Sequence, residues 1–487
     1  MNSRKPVYIL LYVVSVLTLL LLLSFIFPKK GVQIGNSFNL QFPTTKEIFD
    51  IGEPKYADVT QIISQNESEV NDTASDPAPI IMDTVKIDTI RANAQKLRKR
   101  ITKIEFPNNN RKLLYPAFKA FENAKENNEV VHVLHYGDSQ IEGDRITSYL
   151  RYKLQKHFGG SGVGLVPVKQ VYNFRFSVFQ DNSENWNRKT VYGRRDTTLT
   201  HKRYGAIGSF ATIKEYKDTN TAWVSFNESH FSYSNTKTFQ RCRVFYSHAP
   251  EPFKADLYID ELPMSNLSLN ASNKLGVIDW QLDTLVNNAA IDISCTKSPY
   301  VYGISIEGLS GVSVDNVAMR GSSGTIFTKM DQQLYAEMMK ELNAKLILLQ
   351  FGGNTVPAMS SSYKYYERLF LKQIEWIKEA VPDASIVVIG VADMSMKEKN
   401  YYVSYPSVEK VRNATKSAAF KAGAGYWDMY EAMGGKNSMP SWVFAKPPLA
   451  TSDFVHFNVR GAKLIANMFY NALWYEYLHY RNAASSN

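Results

Sequence analysis

The stretch Val130-Val-His-Val-Leu-His-Tyr-Gly-Asp-Ser-Gln-Ile141 is mostly apolar up to Tyr136 and then breaks at Gly137-Asp138-Ser139. A short run rich in β-branched residues that ends in turn residues predicts a buried strand. Leu113–Ala124 before it and Ile141–His157 after it carry helical periodicity, so Ser139 stands at the tip of a β-turn-α unit. The pattern returns later in the chain. Leu346–Phe351 and Ser385–Gly390 predict buried strands and Gly425–Asp428 a short one, while Tyr363–Ala380, Val408–Ala422 and Val459–His479 predict helices. Apolar strands separated by helices predict an α/β domain whose parallel sheet is covered on both faces.

Residues 172–310 have a different character. Short aromatic and β-branched runs, such as Ala222-Trp-Val-Ser-Phe226 and Arg243-Val-Phe-Tyr-Ser247, alternate with Asn, Ser, Gly and Asp turns. That spacing predicts an all-β sandwich. The expected organisation is one α/β domain in two parts, 106–172 and 311–487, interrupted by an inserted sandwich at 173–310. Ahead of it, Pro6 to Phe27 is an almost unbroken apolar run. Some 22 residues rise roughly 30 Å as a helix, enough to cross a bilayer core. The run ends in Phe25-Ile-Phe-Pro-Lys-Lys30, with bulky residues where a signal peptidase needs small ones. Residues 1–30 are therefore expected to be a cytoplasmic tail and uncleaved transmembrane helix. Arg4 and Lys5 are offset by Lys29 and Lys30, so the short tail and large following domain set the expected orientation, with everything after residue 31 outside the cytoplasm. Residues 31–105, with the polar stretch Ser64–Pro79, are expected to be a stalk.

With 487 residues the chain exceeds one ordinary domain. Its formal net charge of +10 is scattered. The one local run, Arg91 to Lys103, reads as a solvated helix face, and no recognition motif accompanies it, so no nucleic-acid partner is expected. Cys242 and Cys295 are the only cysteines; they suit either one disulfide or two small buried hydrophobes. Neither has metal-ligand spacing, and no phosphate-cradling or dinucleotide loop is present, so neither metal nor cofactor is expected.

Four polar motifs fall at strand ends or in loops that can reach them, where open parallel sheets build their sites. Gly137-Asp138-Ser139 offers a hydroxyl at a turn before a helix; read blandly, Asp138 or Ser139 caps that helix. It lacks the second glycine of a Gly-x-Ser-x-Gly elbow, since residue 141 is Ile. Ser452-Asp-Phe-Val-His456 puts a carboxylate and an imidazole three residues apart, close enough for one to orient the other. A serine hydroxyl needs such a base to take its proton. Gly352-Gly-Asn354 follows a strand and could offer an amide to an oxyanion. Asp315 to Gly324 holds Gly321, whose backbone could approach a substrate. His132, His135 and His157 read as structural.

The order of these motifs resembles the SGNH hydrolase superfamily, also called GDSL-like lipases and esterases. The resemblance covers about residues 128–172 and 310–480. It implies a three-layer, flavodoxin-like domain with Ser139 as nucleophile, His456 as general base and Asp453 as its orienting partner. It also implies an oxyanion hole from the Ser139 N–H, Gly321 and Asn354. Gln140 departs from the family's Leu, and Gly353 from the residue that often precedes its Asn. A closer resemblance is to the peptidoglycan O-acetylesterases, through the β region between the serine and glycine blocks, Phe158–Pro167, Tyr426-Trp-Asp428 and Met433-Gly-Gly435. That resemblance implies an acetylesterase acting on an O-acetylated envelope glycan. Two alternatives stay open: an O-acetyltransferase working with an acetyl-transfer membrane partner, and a catalytically silent glycan-binding protein.

Overall fold

Along the strand Val130–Gly137, Val131 and Val133 enter one hydrophobic cluster while Leu134 and Tyr136 enter another. Leu346 and Leu348 alternate with Ile347 and Leu349 in the same way, as do Val387 and Ile389 with Ile386 and Val388. Side chains on a strand point to opposite faces in turn, so a run that is apolar at every position buries both. In this computed structural model these strands form one sheet in the order Gly311–Ala318, Val130–Gly137, Ala344–Gln350, Ser385–Ile389, Gly425–Trp427, Ile104–Glu105. The first five run parallel and the last is antiparallel. Helices Tyr115–Glu126, Thr147–Phe158 and Val459–Ala484 cover one face; Gln332–Glu341, Lys364–Ala380 and Val408–Lys421 cover the other.

The structure describes residues 5–28, 31–34, 38–40, 42–43, 54–71, 87–98, 100–170, 175–194, 196, 198–216 and 218–484. The chain divides into two compact units, Met1–Lys55 and Tyr56–Asn487. In the first, Lys5–Ile26 is a single helix. Its Val7–Ile26 segment, of mean hydropathy 2.8, is long and apolar enough to cross a membrane. Arg4, Lys29 and Lys30, on which the expected orientation drew, lie outside the described residues.

Part of the expected stalk is folded. Thr60–Asn71 forms a helix against the terminal helix Val459–Ala484, with Val59 and Val70 buried. Two of its glutamates are matched across that contact: Glu67 accepts from Arg460 (2.5 Å), and Glu69 from Asn467 (3.0 Å) and Asn471 (2.7 Å). Ile87–Arg98 also packs along the terminal helix. Residues 72–86 of the expected stalk lie outside the described residues.

Between the strands Val130–Gly137 and Gly311–Ala318 the chain builds two antiparallel sheets. One runs Gly276–Val286, Phe239–Ser247, Tyr300–Glu307, Ser209–Ile213, Trp186–Thr190; the other runs Leu262–Leu269, Phe253–Ile259, Asn288–Cys295, Asn220–Glu228, Val178–Asn182. Both feed one hydrophobic cluster, through Val244, Trp280 and Ile304 from the first and Val224, Leu257 and Ile291 from the second. The segment entering this region, Gly162–Val166, pairs with Tyr300–Glu307 at its exit. The two passages cross closely at glycines: a Cβ on Gly311 would lie 2.4 Å from Gly160 N, and one on Gly160 would lie 2.4 Å from Val312 O. Beside the crossing, His132 of the parallel sheet contacts Asp315 (2.7 Å) and Glu307 (3.0 Å), and Arg243 contacts Glu307 (2.8 Å). Burial opposes a charge on His132, but the Asp315 and Glu307 carboxylates outweigh it and push the imidazole up to about 9. Cys242 and Cys295 stand on different sheets, both buried and both free thiols.

Candidate active site

The helix expected to start at Ile141 starts at Thr147. Between them, Ser139–Asp144 is a tight irregular turn in which Gly143 (φ 67°) and Asp144 (φ 68°) adopt left-handed backbone that no helix continues. Ser139 is therefore set by the strand Val130–Gly137 and this turn, not by a long helix dipole.

The turn is tied to the loop before the terminal helix. Gln140 Nε2 donates to the Val455 carbonyl (2.5 Å), and Arg145 Nη1 to the Phe457 carbonyl (3.3 Å). Within that loop Phe454 holds a φ of 58°, costly for a bulky side chain. Stacking on Tyr402, with ring centroids 3.5 Å apart, and burial of the Phe454 ring keep it there.

Ser139 Oγ and His456 Nε2 are 2.8 Å apart, and His456 Nδ1 lies 2.7 Å from Asp453 Oδ2. The other carboxylate oxygen, Oδ1, accepts from Thr451 Oγ1 (2.6 Å), Val455 N (2.9 Å) and His456 N (3.0 Å). Partial burial works against the Asp453 charge, but these hydrogen bonds prevail and hold its carboxyl at about 2. An ionised Asp453 accepts the Nδ1 proton, which leaves Nε2 as an acceptor for the serine hydroxyl.

The other two expected residues lie in the turns that follow the two strands flanking Val130–Gly137. Gly321 follows the strand Gly311–Ala318 in a turn closed by Ser322 N to Met319 O (3.0 Å). Its φ of 74° is the reason for glycine there, since a Cβ would meet nothing within 4 Å. Asn354 Nδ2 donates to Ser322 O (3.1 Å) and, at 3.4 Å, to Asp138 Oδ2. The longer contact is the one an incoming oxyanion could replace.

Sequence reading saw Asp138 only as a cap. It does accept from Gln140 N (3.0 Å), yet its second oxygen also reaches Asn354. Burial pushes this carboxyl up to about 6 against the pull of the Gln140 N–H and of His456. Its place beside the serine was visible; its burial was not. Thr451, Gln140 and Arg145 gave no signal of their contacts. His135 lies in the strand between Thr147 Oγ1 and Gln350 Oε1, both at 3.0 Å, and burial lowers it to about 4. His157 stacks on Trp474.

No protein-family model and no curated protein sequence matches the chain. Among solved structures it is similar to one described as a peptidoglycan O-acetylesterase in action. The match has a TM-score of 0.57 and 22% identity, covering 74% of this chain and 95% of that one. A salicylyl-acyltransferase from a tetracycline biosynthetic pathway (TM-score 0.27, 12% identity, 63% and 95% covered) and a GDSL-like lipase from Parabacteroides merdae (TM-score 0.24, 15% identity, 34% and 74% covered) are far more distant. The chain shares its overall fold with the first of these structures.

Proposed function

We propose that the chain is a serine esterase that removes O-acetyl groups from a cell-envelope glycan, with peptidoglycan as the leading substrate. The hydrogen-bonded series Ser139, His456, Asp453 carries this reading. Ser139 Oγ attacks the acetyl carbonyl carbon as His456 Nε2 takes its proton. Negative charge then develops on the carbonyl oxygen, beside the Ser139 N–H, the Gly321 N–H and the Asn354 amide. When the C–O bond to the sugar breaks, His456 returns the proton to the departing hydroxyl. Water repeats the sequence on the acetyl-serine and releases acetate. His456 and Asp453 keep 28% and 48% of their side-chain surface exposed, so water reaches this intermediate; that favours hydrolysis over transfer to a sugar.

In this reading Lys5–Ile26 anchors the protein with its chemistry outside the cytoplasm, at the periplasmic face of an inner membrane. The two antiparallel sheets within 173–310 act as an inserted carbohydrate-binding sandwich between the two parts of the hydrolase domain. Acetate release from O-acetylated peptidoglycan by the full chain in detergent, lost in Ser139→Ala, tests the proposal. Release that persists in that variant would remove Ser139 from the mechanism. Turnover confined to small acetyl esters would remove peptidoglycan.

A further inference from the structure

A cleft opens where the serine turn meets the β region, lined by Glu142, Gly143, Gln170, Arg175, Arg188 and Arg320. Arg175 is 7% exposed, and its Nε and Nη2 have no hydrogen-bond partner among the described residues. Its nearest carboxylate oxygen, Asp144 Oδ2, lies 3.9 Å away. That carboxylate is already taken by a fork from Arg151, at 2.7 and 3.1 Å, and by the Ser177 hydroxyl. Arg188 spends Nη2 on the Tyr192 hydroxyl (2.6 Å), and its buried Nε has no partner among the described residues. Burial shifts Glu142 toward the protonated form, against the pull of Arg320 and Arg145. Burial lowers Arg175 to about 10, which leaves it charged at neutral pH.

Buried guanidinium nitrogens without acceptors are costly, and an oxyanion that takes a planar fork of donors relieves that cost. Position supplies the rest. The cleft shares Glu142 and Gly143 with the turn that begins at Ser139, and Arg320 directly precedes Gly321. Glu142, Gly143 and Arg320 also border a second cleft that continues to Thr451 and Phe457, on either side of Asp453 and His456. An ester held against Ser139 and Gly321 therefore brings its neighbouring sugar groups over the arginines.

We infer that Arg175 and Arg188 form a subsite for an oxyanion, carboxylate or phosphate, carried by the glycan whose acetyl ester faces Ser139. The inference rests on the esterase reading for its orientation and extends it to a substrate class, acidic glycans.

The test compares matched acetylated trisaccharides with the full chain in detergent: one neutral, one bearing a uronate and one bearing a sugar phosphate. Wild type should turn over at least one charged trisaccharide with kcat/KM about 10- to 100-fold above the neutral one, the range expected for a hydrogen-bonded charge. Which of the two it is identifies the oxyanion. Arg188→Gln and, separately, Arg175→Gln should bring that ratio toward one, mainly through KM. Because the ratio is taken within each variant, loss of folded enzyme does not mimic the effect, and the less buried Arg188 covers a failure of Arg175→Gln to fold. A wild-type ratio near one, or a ratio kept in Arg188→Gln, overturns the inference. If wild type hydrolyses none of the three, the reading of the chain as a glycan esterase fails. Calorimetric binding of the deacetylated trisaccharides then judges the cleft: preferential binding of a charged one, lost in Arg188→Gln, upholds it, and equal binding of the neutral one overturns it.

Discussion

Replacing Asp453 by Asn exchanges one oxygen for an NH2 group, and the loop dictates which. Asp453 Oδ1 serves three donors, at 2.6, 2.9 and 3.0 Å, so the amide oxygen must stay there. The NH2 then occupies the place of Oδ2, 2.7 Å from His456 Nδ1. Two donors cannot face each other, so His456 moves its proton to Nε2, the atom 2.8 Å from Ser139 Oγ. The imidazole now offers the serine a proton instead of accepting one. Restoring the productive tautomer costs a hydrogen bond plus a donor–donor contact, about 3–5 kcal/mol in a closed site. With Asp453 about half exposed, water offsets part of that cost. The expected loss in kcat is about 10²- to 10³-fold, measured by p-nitrophenyl acetate hydrolysis with the full chain. Thermal unfolding should barely change, because the three loop hydrogen bonds survive. Asp453→Ala should show the opposite balance: a larger drop in melting temperature, because those bonds go, but no forced tautomer and so a rate loss no greater than that of Asn. An Asn variant within about fivefold of wild type would show that Asp453 does not set the tautomer.

Asn354→Ala should lower kcat about 10²-fold or more and leave KM nearly unchanged, because its amide acts on charge that exists only in the transition state; single-turnover kinetics on the same ester checks this. Asp138 goes from an ordinary 3.8 to about 6 in the fold, so the native chain holds this proton more tightly than the unfolded one. Stability from this group is therefore present below pH 3.8 and is lost as pH rises through 6. Asp138→Asn should flatten that part of the stability profile and raise stability at pH 7.5 by up to about 3 kcal/mol, read from denaturant unfolding at pH 4.5 and 7.5. Burial pushes the Cys295 thiol up to about 11 and the Cys242 thiol further. A thiol reagent without reductant should therefore find both unreactive in the native chain and two equivalents on unfolding; fewer than two would reveal a disulfide.

The parallel sheet was legible because Val130–Tyr136, Leu346–Phe351 and Ser385–Gly390 are apolar at most positions on both faces, which neither a half-exposed strand nor a surface helix tolerates. The serine, histidine and aspartate were legible through their order along the chain, since each motif alone has a bland explanation. What escaped depended on tertiary context. Nothing local distinguishes Gly143 and Asp144 as the pair that delays the helix to Thr147. Thr60–Asn71 reads as polar linker because its glutamates find their partners, Arg460, Asn467 and Asn471, only on the terminal helix. The arginines of the cleft come from separate segments and gave no pattern at all. The disulfide question stayed open until the two cysteines were seen on different sheets.

The passage of the chain through the β region fixes an order of assembly. Val130–Gly137 is central to its sheet, yet both its neighbours, Gly311–Ala318 and Ala344–Gln350, follow the whole β region. As the chain emerges from the ribosome, this mostly apolar strand has two unpaired edges until residue 318 has been made, and one until residue 350 has. The β region needs only Gly162–Val166 through Tyr300–Glu307 and can fold meanwhile. Its closure at the glycine crossing then brings Gly311 beside Gly160 and hands the waiting strand its first partner. Ser139 thus comes to its final place only after the β region is complete.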